Sequence, residues 1–307
     1  MTSSPARKAI FVISAAACLF TSPPIALALG ILFALTLGNP YPSQTSKVQK
    51  TLLQACVVGL GFGMNLQSVL GAGRTGFVFT VATIAGTLVL GYIVGTWMGL
   101  GTSIRHLISS GTAICGGSAI AAVGSAMKAD AREMSVSLAT VFVLNAIGLF
   151  LFPLLGHLFD LSQTQFGIWS AIAIHDTSSV VGAASRYGAE ALEIATTVKL
   201  ARALWIIPLA LVTAFAFHRK GAKIAIPYFI FLFILASILR TYVPPIQEVS
   251  DTIVAIAKIG LTLTLFLIGA GLSRAALQSV GVKPLAFGVI LWAAISVTSL
   301  VVVINTL

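Results

Sequence analysis

Gly111 to Ala122 reads GTAICGGSAIAA, and its three glycines, Thr, Cys and Ser stand between apolar runs where a membrane-crossing helix would favour leucine. Glycine inside a helix costs about 1 kcal/mol relative to alanine, so the stretch predicts a helix that breaks near its middle. Backbone groups freed at membrane depth need partners, and broken helices are tolerated there where they line a cavity. Such a break leaves a half-helix N-terminus whose N–H groups and dipole attract an anion, and a carbonyl end that suits a cation. Close packing of small residues against a neighbouring helix is the other reading of Gly-Gly and Ser-Ala. The density of the cluster favours the break. A second weak stretch follows about sixty residues on: AIHDTSSVVGAA, Ala173 to Ala184, with an acid inside it.

Composition makes a membrane setting necessary. The 307 residues are 58% hydrophobic and 8% charged, with a mean hydropathy of +1.03. A soluble chain of this length cannot bury so much apolar surface, so the fold class is an all-α, polytopic membrane protein. The runs are long and do not alternate, which excludes a membrane β-barrel. The formal charge of +10 sits mostly between spans, a topology signal rather than a nucleic-acid footprint. Cys18, Cys56 and Cys115 all lie in apolar stretches, odd in number and widely spaced, which argues against disulfides or a zinc site. The opening RKAIFVISAAAC has the look of a leader, but ten further apolar spans follow it and it is read as a first helix.

Helices are expected near 9–21, 23–38, 48–70, 77–97, 103–128, 131–152, 167–188, 191–218, 224–241, 251–272 and 284–305, eleven in all. With the N-terminus in the cytoplasm, Arg7, Lys8, Lys47, Lys50, Arg105, Arg219, Lys220, Lys223, Arg274 and Lys283 fall inside, and only Arg74, Lys128, Arg132, Arg186 and Arg240 fall outside. That bias obeys the positive-inside rule. Setting aside an extra N-terminal helix (1–22) leaves two five-helix units, 23–152 and 167–307, which would face opposite ways as inverted repeats. The fourth helices of the units would be 103–128, which contains the opening motif, and 251–272, which contains Lys258 and the Gly-rich KIGLTLTLFLIGAGLS. GFGMN (Gly61–Asn65) resembles GAGLS (Gly269–Ser273) and cuts across that pairing, third helix against fourth.

Asp176 is the one acid placed well inside the membrane, where an ionisable side chain is functional by default. It suits a proton carrier, a cation ligand or the partner of a buried base. His175 beside it is divided between a structural and a coupling role. Lys199, Arg202 and Lys258 are the basic counterparts; Lys199 and Arg202 share one helix face. More cations than acids suggests a site that accepts an anion. Asn65, Asn145, Thr177, Ser178 and Ser179 offer neutral hydrogen bonds, with Asn65 placed among the coupling residues beside Asp176 and His175.

These stretches resemble the YeiH-type family, membrane proteins associated by name with sulfate export and long counted as uncharacterised. The similarity runs over nearly the whole chain: GFGMNL at Gly61–Leu66, the two motifs above, and the late KIGLTLTLFLIGAGLS. The resemblance implies an inverted-repeat secondary transporter, similar in architecture to bile-acid sodium symporters and cation–proton antiporters, with sulfate or a related sulfur oxyanion as substrate. It points to Thr112, Cys115, Gly116, Gly117 and Ser118, then His175, Asp176, Thr177, Ser178 and Ser179.

The expectation is therefore an ion-gradient-coupled carrier of a small anion, in a bacterial inner membrane. The Gly116-Gly117 break presents N–H groups to the substrate, Thr112 and Ser118 add hydroxyls, Arg202 or Lys258 adds charge, and Asp176 couples H⁺ or Na⁺. No cofactor, metal site or nucleic-acid partner is expected, and a homodimer is compatible with the reading. A cation–proton antiporter is the main alternative, then a channel. An intramembrane hydrolase is disfavoured, because adjacent His and Asp diverge around a helix and form no triad alone. No phosphate-binding GxxxxGK[ST] loop is present, so the energy would come from gradients.

Overall fold

The computed structural model describes residues 5–64, 66–217, 228–271 and 281–307. Among the described residues the chain is helical throughout, with no strand: α1 (Pro5–Ala17), α2 (Pro23–Thr36), α3 (Pro42–Gly61), α4 (Leu66–Trp97), α5 (Thr102–Ala113), α6 (Gly117–Met127), α7 (Ala131–Leu158), α8 (Gln163–Ala173), α9 (Thr177–Tyr187), α10 (Ala189–Ala203), α11 (Ile206–Ala216), α12 (Tyr228–Tyr242), α13 (Pro244–Gly271) and α14 (Val282–Thr306). Five stretches are long and apolar enough to cross a membrane: Phe79–Trp97, Arg132–Leu158, Ala189–Ala216, Pro244–Gly271 and Val282–Thr306.

Local chemistry explains several boundaries. Both α7 and α8 open on a capping box. Asp130 accepts from the Glu133 N–H at 2.7 Å while Glu133 accepts from the Asp130 N–H at 3.0 Å, and Ser162 and Gln165 repeat the exchange. Each box satisfies two donors that a helix start leaves orphaned, which is why α8 begins four residues before the expected 167. Helix α7 runs through Pro153 to Leu158 rather than stopping at 152, since neighbouring groups in a membrane helix can absorb the bond a proline removes.

The helices sort into two compact units, Met1–Leu70 with Tyr228–Leu277, and Gly71–Pro227 with Gln278–Leu307. In the first, α2 crosses α13 at glycines. A methyl on Gly30 would overlap the Phe266 carbonyl oxygen, and one on Gly269 would lie 2.5 Å from the Leu27 carbonyl oxygen. Small residues let the backbones approach this closely. Phe11 packs edge-on to Phe33 (5.2 Å between centroids) and tilted on Phe266 (5.4 Å). The junction of α3 and α4 is tied to α12, where the Ser237 hydroxyl donates to the Met64 carbonyl (3.0 Å) and the Leu66 N–H donates to Thr241 Oγ1 (2.9 Å). Asn65, between them, lies outside the described residues.

The second unit contains the breaks. One interrupts 102–127 at Ile114–Gly116, the other 163–187 at Ile174–Asp176. The segment expected as the fourth helix of the second repeat, 251–272, lies up to Gly271 in the continuous helix α13. Gly269 serves the crossing with α2 and Gly260 lies against Cys56 on α3, so Gly-rich sequence there means close packing and not interruption.

Candidate functional site

At the first break Gly116 adopts φ +62° and ψ −122°, a conformation closed to residues with a side chain. A methyl there would meet Val141 Cγ1 at 3.2 Å, and both Asn145 Nδ2 and the Asp176 backbone nitrogen at 3.5 Å. The two interrupted helices therefore touch at their breaks, with α7 alongside through Asn145. Asn145 Oδ1 accepts from the backbone N–H groups of His175 (3.0 Å) and Asp176 (3.3 Å), fixing the second break to α7.

Each break exposes carbonyls that a continuous helix would satisfy, and α10 supplies donors for both. Lys199 Nζ donates to the carbonyls of Ile114 (2.9 Å), Ala171 (3.2 Å) and Ile174 (2.8 Å). Three acceptors match the three donors of an ammonium. Arg202 donates to the Ala113 carbonyl, and at 2.8 Å to Thr83 Oγ1 on α4. Trp292 Nε1, from α14, donates to the Ala173 carbonyl at 3.0 Å. Lys199 and Arg202 are completely buried. A cation at a helix C-terminus also answers the macrodipole.

The amide ends are treated differently. At α9 the Asp176 carboxylate is the N-cap: Oδ2 accepts from the N–H groups of Ser178 (3.1 Å) and Ser179 (3.3 Å) and from the Ser178 hydroxyl. At α6 Gly116 provides no side-chain cap. The Cys115 thiol lies 3.4 Å from the Ser118 hydroxyl, which itself donates to the Cys115 carbonyl at 3.3 Å. Around the contact, Thr112 Oγ1, Asn145 Nδ2, both ring nitrogens of His175 and Arg202 Nε are buried without a protein partner. Buried polar groups are nearly always satisfied, so this concentration of unused donors and acceptors sets the two breaks apart from the surrounding packed helices.

Of the residues singled out from sequence, Thr112, Cys115, Gly116, Gly117, Ser118, His175, Asp176, Thr177, Ser178, Ser179 and Arg202 fall at or beside these two breaks, in one unit. Thr177, Ser178 and Ser179 form the first turn of α9 and are mostly buried, whereas Ser118 is exposed. Lys258 belongs to the other unit and is exposed on α13, so it is not the buried cation its position inside an apolar helix suggested. Arg202 is held by a carbonyl and Thr83, a role in closing the break that its charge alone did not announce. Thr83 and Trp292 went unnoticed because nothing in their local sequence signals a partner more than a hundred residues away. Among the described residues no three His, Cys, Asp or Glu side chains gather to hold a metal ion.

The architecture is that of an all-helical membrane protein organised around two contacting helix breaks. The comparisons give it a family. Residues 9–288 match the family model Conserved hypothetical protein 698. A UPF0324 membrane protein of Bacteroides thetaiotaomicron is 56% identical over 283 residues, covering 92% of this chain and 86% of that one. Another, of Shewanella oneidensis, is 50% identical over 296 residues (96% and 94%), and one of Geobacter sulfurreducens 47% over 304 residues (98% and 97%). The chain belongs to this UPF0324 family of bacterial membrane proteins, the YeiH-type family its motifs resembled. No solved structure matches it.

Proposed function

We propose that this protein is a secondary active transporter of a small anion, sulfate or a related sulfur oxyanion, that binds its substrate beside Gly116 at the break between α5 and α6. The observation that carries the reading is the asymmetry of the breaks. Fixed cations close the carbonyl ends and an internal carboxylate closes one amide end, whereas the N-cap of α6 is a glycine and only the neutral Cys115 thiol stands by its first turn. An oxyanion there would meet the N–H groups and dipole of α6, with Thr112 Oγ1 and Asn145 Nδ2 as unused donors nearby.

On this reading the chain is a multi-pass protein of the bacterial inner membrane with a cytoplasmic N-terminus. The paired pieces α5–α6, α8–α9 and α10–α11 each cross as one segment, giving eleven passes. No cofactor is needed; H⁺ or Na⁺ supplies the driving force through Asp176. In the antiporter alternative Asp176 binds the cation and Lys258 competes with it; Lys258 is exposed on α13, and the half-helix carbonyls that would help hold a cation are occupied by Lys199 and Arg202. A hydrolase is disfavoured because Asp176 binds Ser178 while both His175 nitrogens lack a partner, so no relay links the three.

The test is uptake of radiolabelled sulfate into liposomes containing the purified protein, under an imposed pH gradient or an imposed Na⁺ gradient. Sulfate accumulation under one of them is expected. Sodium–proton exchange without sulfate flux would overturn the anion reading in favour of the antiporter.

A further inference from the structure

The two oxygens of Asp176 are not equivalent. All three donors that reach the side chain, the Ser178 and Ser179 N–H groups and the Ser178 hydroxyl, converge on Oδ2. Oδ1 accepts no protein hydrogen bond, yet it is absent from the buried atoms that lack a partner. In a side chain that is itself only partly buried, that leaves Oδ1 as the carboxylate oxygen the protein does not bind. A proton can thus join or leave Oδ1 without disturbing the cap that Oδ2 provides.

The charges around the carboxylate give that proton a consequence. Lys199 on α10 and Cys115 in the first break are near enough for their charges to interact with that of Asp176. From α7 the facing group is the neutral Asn145, whose Oδ1 holds the Asp176 N–H. Arg202 follows Lys199 by three residues, His175 is adjacent in the chain, and α8 carries no titratable side chain. With Lys199 and Arg202 both charged, one carboxylate leaves a single excess positive charge at the breaks, which balances a monoanion. Protonation of Asp176 leaves two, which balances a dianion. The uncapped α6 terminus is beside this carboxylate, and the unpartnered, buried Asn145 Nδ2 points to a ligand there, 3.5 Å from the Gly116 methyl position.

We propose that Asp176 divides its work between its oxygens: Oδ2 is the permanent cap of α9, and Oδ1 carries one proton that enters with each divalent oxyanion bound at the α6 terminus. The proposal deepens the anion-carrier reading and rests on it. The proton comes from the aqueous phase on binding and returns to the opposite one on release, so each cycle moves one proton and one dianion.

The experiment uses the full chain in liposomes with radiolabelled sulfate as the probe and a trapped pH dye. Wild type is compared with Asp176→Asn and Asp176→Ser, which keep a capping oxygen but cannot carry the proton, and with Asp176→Ala, which loses both. Wild type should take up one proton per sulfate, with sulfate exchange falling about tenfold per pH unit once the carboxylate is ionised. The Asn and Ser variants should exchange sulfate more slowly, with a flat pH profile and no proton movement, at near wild-type thermal stability. The Ala variant should be clearly less stable than both. Proton movement at the wild-type ratio in the Asn or Ser variant, or an Ala variant as stable as they are, would overturn the division. Absence of sulfate exchange in wild type at every pH would instead overturn the carrier reading beneath it.

Discussion

Replacing Lys199 with methionine tests whether one ammonium holds both breaks. The substitution keeps the length and removes three donors, leaving the carbonyls of Ile114, Ala171 and Ile174 without their partner. Each buried acceptor left unsatisfied costs about 1–3 kcal/mol, a gross penalty of roughly 3–9 kcal/mol. Removing a fully buried charge returns several kcal/mol of desolvation. The net loss should be about 2–4 kcal/mol, and at roughly 2–4 °C per kcal/mol the midpoint should fall by about 5–15 °C. Cys115 reports the local event directly, because it is 1% exposed within the first break. With Cys18 and Cys56 replaced by alanine, maleimide labelling of Cys115 in detergent should quicken about tenfold, the factor that 1.4 kcal/mol of local opening supplies. A Lys199→Met protein that melts within about 1 °C of its parent and labels no faster would refute the bridging role. Lys199→Arg should recover part of the loss, since a planar guanidinium keeps the charge but cannot aim three donors as an ammonium does.

Further substitutions separate the breaks from the scaffold. Gly116→Ala forces a side chain into φ +62°, ψ −122° and within 3.2 Å of Val141; backbone strain of about 1–3 kcal/mol should accompany loss of sulfate exchange in liposomes, with circular dichroism unchanged. Trp292→Phe removes only the bond to the Ala173 carbonyl and should cost about 1 kcal/mol, read as a small shift in thermal midpoint. Gly30→Val drives a side chain into the Phe266 carbonyl, where no rotamer relieves the overlap; a loss of about 2–3 kcal/mol should appear as faster proteolysis at α2 and α13.

Much of the site was legible because its chemistry is local. The glycines at 116 and 117 and the acid at 176 disturb their own helices, and a single sequence records that disturbance. What closes the breaks was not legible in the same way. Lys199, Arg202 and Trp292 act on carbonyls between 25 and 119 residues distant in sequence, and a carbonyl has no signature in the amino-acid code. The Gly-rich end of 251–272 carries a related ambiguity: glycines that break a helix and glycines that let two helices touch look alike until the partner is known. The sequence holds a counter-sign. LQSV recurs at Leu66–Val69 and Leu277–Val280, extending the likeness of GFGMN to GAGLS. That alignment sets the end of α3 against the end of α13, and offers no support for matching α13 to the α5–α6 break.

The distribution of charge at the breaks bears on selectivity more directly than the number of charges does. A half-helix offers a cation its carbonyls and an anion its amides, so a crossing of two broken helices is ambivalent until something occupies its ends. Here the carbonyls of both α5 and α8 are taken by side chains fixed on one helix, α10, with hydrogen bonds of 2.8–3.2 Å to Lys199. A mobile cation would have to displace a tethered one that pays no entropy of association. On the amide side only α9 has an internal occupant, and it is a carboxylate, the one tethered group that protonation can neutralise. Fixed cations close the carbonyl ends, and a carboxylate closes the α9 amide end next to the first break. That arrangement makes an anion carrier with proton control a more economical reading than a cation site built from the same two breaks.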